Sequence, residues 1–229
     1  MKMKMSRKLL VVIMGIMMVF AMTACGAKAE PEDDGQTNDP LAEVNIEENG
    51  DVVFWCTVNG DWLSDNDKGN TTSRHFIIDS DGFNTGKSIL TSYAKASDIY
   101  AKLVEAGFAV GERDDEVFTL EKGEKLTEGE AINVTLTWEG QEDGIALKDA
   151  VVMSDGSRPN IDIHFHGNKA NFEKNYSGCV CCLDSCYVGI TSNGAYGFLD
   201  VENNAPSILG DASVLPADGE VVMVRFSYK

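Results

Sequence analysis

AINVTLTWE, residues 131–139, sets Ile132, Val134, Leu136 and Trp138 against Asn133, Thr135 and Thr137. Apolar and polar side chains alternate with a period of two, the signature of a strand with one face in the core and the other wet. The same signal recurs on either side. DVVFWCTV (51–58) is rich in β-branched and aromatic residues and stops at Asn59-Gly60, a turn signal. RHFII (74–78) closes at Asp79-Ser80-Asp81-Gly82, IDIHFH (161–166) alternates again, and VVMVRFSY (221–228) supplies a final strand. Helical signals are fewer. Ser97 can cap a helix from Asp98 to Ala106, with Ile99, Leu103 and Ala106 on one side and Gly107 able to take the left-handed closing position. A shorter helix follows Asn168 in NKANFEKN. Many strands with few helices predict an α+β fold, a single β-rich domain with one main helix and a short second one.

Upstream of this domain, expected over 51–229, the composition changes. GAKAEPEDDGQTNDPLAEVNIEENG (26–50) carries eight acids, one lysine and few apolar residues. Such a stretch buries too little surface to offset its ordering entropy, so a disordered acidic tether is expected. Before it stands MKMKMSRK, with four positive charges, then the uncharged apolar run Leu9 to Met22, then Thr23-Ala24-Cys25-Gly26. A basic start, an apolar run shorter than the roughly 20 residues of a spanning helix and small residues at its exit predict a signal peptide over 1–24. Thr23-Ala24-Cys25 resembles the lipobox of bacterial lipoproteins, which implies lipidation of Cys25. Met22 stands where that box more often has Leu, Val or Ile. The expected location is therefore the extracytoplasmic face of a bacterial cell membrane, reached through the lipid. The formal charge of the whole chain is −18. Cleavage before Cys25 would remove four of the 19 basic residues and none of the 37 acids, leaving −22. That charge repels nucleic acid, and no basic stripe offsets it.

Four of the six cysteines fall within YSGCVCCLDSC (176–186): Cys179, Cys181, Cys182 and Cys186. Three chemistries compete for them. Cys179, Cys182 and Cys186 show the C-x2-C-x3-C spacing that ends the ferredoxin run, although Tyr187 follows where that run has proline and no cysteine lies three residues before Cys179. Zinc accepts three thiolates and one imidazole, and His164 and His166 share a strand face as nitrogen candidates. A Cys179–Cys186 disulfide is the third option, open to a protein outside the cytoplasm. In every case adjacent side chains diverge, so Cys181 is expected to point away from the other three. His75 reads as a structural histidine, and His164 and His166 also fit a plain solvated strand face.

GKSILTSYAKASDIYAKLVEAG, GNKANFEKN, GCVCCLDSC and VGITSN together resemble the YdjY-domain family of bacterial extracytoplasmic proteins, over about residues 72–228. The most specific part is Gly178-Cys179, Cys182-Leu183, Ser185-Cys186 and Val188 to Asn193. The resemblance implies three cysteines acting together and names no activity. Tyr187 replaces the family's usual proline, Cys181 is additional, and His164 and His166 stand where arginine and a small residue are expected.

Catalytic patterns are thin. SDGS (154–157) is no nucleophile elbow, and GKS (86–88) lacks the upstream glycine of a P-loop. The expected function is binding of a metal or redox cofactor, an iron–sulfur cluster or zinc, through Cys179, Cys182 and Cys186 with His164 or His166, with a redox or cell-surface protein as partner. The alternative is a disulfide-stapled interaction domain without catalysis.

Overall fold

The computed structural model describes residues 39–229. The signal segment, Cys25 and residues 26–38 of the expected tether lie outside the described residues. In chain order the strands are β1 (Asn45–Ile46), β2 (Val52–Val58), β3 (His75–Asp79), β4 (Ser88–Ser92), β5 (Glu130–Trp138), β6 (Gln141–Ala146), β7 (Val151–Met153), β8 (Ile163–Phe165), β9 (Cys179–Cys182), β10 (Thr191–Asn193), β11 (Ile208–Gly210) and β12 (Val221–Tyr228). The α-helices are α1 (Ala96–Glu105), α2 (Leu147–Ala150) and α3 (Lys169–Asn175), with 3-10 turns at Pro40–Ala42 and Gly60–Trp62.

Eight of these strands run β2-β12-β5-β8-β10-β9-β3-β4, and β4 pairs back onto β2 through Leu90↔Val58 and Ser92↔Cys56. The sheet is thus a closed barrel. This corrects the α+β expectation: the molecule is mostly β, with helices of only ten, four and seven residues. Closure depends on which strands meet, and strand periodicity carries no record of that. Two neighbouring pairs, β3–β4 and β9–β10, are parallel within an otherwise antiparallel barrel. β1 and β6 extend it beside β2 and β5, and β7 pairs with β11 in a separate ribbon.

Alternation fills the barrel. Val52, Phe54 and Cys56 of β2 face Phe226, Val224 and Val222 of β12, which in turn face Val134 and Leu136 of β5. All are buried, and Phe54 and Phe226 meet edge-to-face at 5.2 Å. Helix α1 lays Ala96, Ile99 and Leu103 onto this core. Its cap is Lys95 rather than Ser97, with no side-chain capping bond. The buried Asp79 carboxylate accepts from the Ala96 N–H at 2.9 Å instead. Among the described residues no helix is long and apolar enough to cross a membrane.

The expected tether is ordered in its last part. β1 pairs Asn45 and Ile46 with Val53 and Val52, and Glu47 and Asp51 both bind the Arg225 guanidinium on β12. Acidic composition suggested disorder here, but one of those acids, Glu47, shares an arginine with Asp51 of the domain.

Candidate metal centre

The site is built by two β-irregularities. On a regular strand Cys179 and Cys182, three residues apart, would point to opposite faces. Along β3 and β9 the register pairs His75 with Cys182, Ile77 with Cys181 and Ile78 with Cys179, slipping once on each strand. The slips send Phe76, Ile77, Val180 and Cys181 to the main core, while Ile78, Cys179 and Cys182 gather in a second, smaller cluster. His75 joins their side.

Cys186 arrives by a different route. β9 and β10 are parallel neighbours, Thr191 beside Cys181, so the chain must double back over residues 183–190. The filled barrel leaves only the outer face for that return. The loop is pinned along its length: Leu183 donates to the Arg74 carbonyl at 2.8 Å, and Asn168 Nδ2 donates to the carbonyls of Cys186 (3.2 Å) and Gly189 (2.8 Å). The Cys186 N–H donates to Ser192 Oγ at 3.2 Å. A Cβ on Gly189 would lie 3.2 Å from Cys182 Sγ, so the backbone here rests on the sulfur.

His75 Nδ1 lies 3.6 Å from Cys179 Sγ and 3.5 Å from Cys182 Sγ, and the three donor atoms are all within 4.8 Å of one another. Residues His75, Cys179 and Cys182 therefore form a group able to hold a metal ion. Cys186 packs against both thiols in the small cluster, and their S–H groups, with the Arg74 charge, hold its own thiol well below the usual range despite burial. Its partners move the other way. Cys182 is pushed well up by its bonds to Cys179 and Cys186 and by burial. For Cys179 the bond to Cys182 acts downward, but the bond to Cys186 and burial prevail and raise it to about 12. Burial lowers His75 to about 4, against the pull of Cys186, so its imidazole is neutral and fit to ligate.

Arg74 packs beside the cluster. Its Nε binds Asp184 Oδ1 at 2.7 Å, and its guanidinium stacks over Phe198 at 4.6 Å. Burial drives the Asp184 carboxyl up to about 7 against the opposing Arg74 charge, and its Oδ2 has no partner among the described residues.

The predicted ligands divide. Cys179, Cys182 and Cys186 share the small cluster, but only Cys179 and Cys182 fall in the metal-capable group, and Cys181 faces the barrel interior, where burial raises its thiol to about 12. All five described cysteines are free, so neither Cys179 nor Cys186 is bridged. His164 and His166 are not in the metal-capable group. His164 Nε2 binds Asp162 Oδ2 at 3.1 Å, and His166 Nε2 shares a 2.9 Å bond with Ser192 Oγ. The nitrogen donor is instead His75, read from sequence as structural. It lies 104 residues before Cys179, and no local motif joins them.

A family model for the YdjY domain matches residues 43–227. The chain is 34% identical over 202 residues to the Escherichia coli (strain K12) protein described as "Uncharacterized protein YdjY", an alignment covering 87% of this chain and 84% of that one. No solved structure matches the chain.

Proposed function

The chain belongs to the YdjY-domain family, and from the cluster its barrel carries we propose a domain that holds one thiophilic metal ion, zinc first, outside the cytoplasm. The observation that carries this reading is the pair of sulfur–nitrogen distances. Tetrahedral zinc with Zn–S about 2.3 Å and Zn–N about 2.0–2.1 Å separates sulfur from nitrogen by about 3.5 Å. The two distances here are 3.6 and 3.5 Å. Cys186, which packs in the same small cluster as the two thiols, would complete a Cys3His set as its fourth ligand. An iron–sulfur cluster spreads its thiolates over separate irons, and a donor group this compact favours a single ion. Bound in such a closed set, the ion ties the return loop to β3 and leaves no ligand position for substrate. The anchor is the lipid on Cys25, and the tether between them holds the domain at the membrane's outer face.

Metal analysis of anaerobically purified protein tests the centre. One zinc per chain is expected, lost in His75→Ala, Cys179→Ser, Cys182→Ser and Cys186→Ser and kept in His164→Ala. Visible absorption with stoichiometric iron and sulfide would replace zinc by a cluster. No metal in any preparation would sink the reading. Fatty-acid labelling tests the anchor: Cys25→Ala should incorporate none.

A further inference from the structure

His75 stands between two environments. Its Nδ1 faces the sulfurs, while among the described residues its Nε2 makes no hydrogen bond. Metal-bound histidines almost always give their second ring N–H to a carboxylate, a carbonyl or water, which fixes the tautomer and orients the ring. His75 also lines a cavity of about 290 Å³, with Trp62, Arg74, Asn84, Lys87 and Glu202 among its walls. Pockets for drug-sized ligands run from about 300 to 1,000 Å³, so this one suits a small molecule.

The wall has the opposite sign to the chain as a whole. Acids outnumber bases 37 to 19 in the sequence, yet the cavity has two cations against the single carboxylate of Glu202. Arg74 is committed to Asp184 at 2.7 Å and to Glu202 at 3.4 Å. Among the described residues Lys87 is therefore the wall's free cation and pairs with no carboxylate: its ammonium reaches Asn84 Oδ1 at 3.5 Å and lies 5.6 Å from the centre of the exposed Phe83 ring. Trp62 is fixed by its indole N–H, which donates to the Gly86 carbonyl at 2.8 Å, and offers an apolar wall.

We propose that this cavity binds a small organic carboxylate, which accepts hydrogen bonds from His75 Nε2–H and Lys87 and rests its apolar part against Trp62. The carboxylate then serves as the outer partner of the metal-binding histidine. The inference rests on the metal reading in one respect, that Nδ1 faces the ion and Nε2 carries the proton.

Calorimetric titration of the zinc-loaded protein with acetate and benzoate, alongside the Trp62 indole N–H resonance, tests it. Saturable benzoate binding that shifts this resonance is expected, with acetate weaker for want of the Trp62 contact. Lys87→Gln should weaken benzoate binding about tenfold, because a charge-assisted bond is lost. Glu202→Gln should strengthen it several-fold, and Lys148→Gln, distant in charge and exposed, should leave it unchanged. Absence of saturable binding, or binding indifferent to Lys87→Gln, overturns the proposal. Metal analysis of the same samples keeps the two readings apart. Zinc retention without saturable benzoate binding removes the carboxylate site alone, and benzoate binding by protein that takes up no zinc removes the metal centre and the outer-partner role with it.

Discussion

Cys181 and Cys182 are adjacent in the chain and answer to different surroundings, one to the barrel interior and the other to the outer cluster. Divergence of neighbouring side chains was legible from CVCC, and so was the grouping of Cys179, Cys182 and Cys186. Cys181→Ser is accordingly expected to keep its metal and to lose about 1–3 kcal/mol, the cost of a hydroxyl in an apolar core, in urea unfolding. A serine that empties the site would refute the division. His75 was not legible, because nothing local marks a histidine whose partners lie 104 and 107 residues away. His166 makes the pH prediction. Burial, with His164 nearby, lowers its pKa from 6.5 to about 4. The unfolded chain therefore binds the proton more readily, so this contribution to stability is whole above about pH 6.5 and is lost as pH falls through about 4. The full loss is on the order of 3 kcal/mol. Urea midpoints at pH 7 and pH 5 should draw together in His166→Gln relative to the parent, and an unchanged gap would count against this account.

The long strands β2, β5 and β12 coincide with runs read as strands, and so do the shorter β3 and β8, whose β-branched or alternating residues mark them. β9 and β10 hold four and three residues, and the slipped register of β9 breaks the period outright. Of the hidden strands, β9 carries the site's Cys179 and Cys182. A close backbone crossing supports them: a Cβ on Gly82 would lie 2.4 Å from Gly178 Cα, so only glycine lets the β3–β4 connection pass over the entrance to β9. Gly82→Ala should cost more than about 2 kcal/mol and weaken metal retention, since Asn84, whose Nδ2 lies 3.9 Å from Cys179 Sγ, sits on the displaced segment. Wild-type stability in that variant would show the crossing to be soft. At the other end of the chain, a protein starting at Asp51 lacks β1 and Glu47. A loss of about 1–2 kcal/mol is expected from the broken pairing with β2 and the reduced partnership of Arg225. Equal melting of the two forms would mean that β1 contributes nothing.

At the scale of the molecule, two hydrophobic clusters divide the labour: the main core fills the barrel, and the small one surrounds the outer thiols. Chelation at neutral pH should therefore leave the far-ultraviolet β signal intact and lower the melting temperature only by the mass-action contribution of the ion. Collapse of the β signal would mean that the ion, not the barrel core, holds the fold. The spacing of the ligands along the chain also sets an order of events. Three sulfurs belong to one stretch of eight residues, whereas the imidazole joins only when β3 pairs with β9. An ion present during folding meets the thiolates early and acquires its nitrogen last, so capture of the imidazole is a clock that strikes when the barrel wall closes.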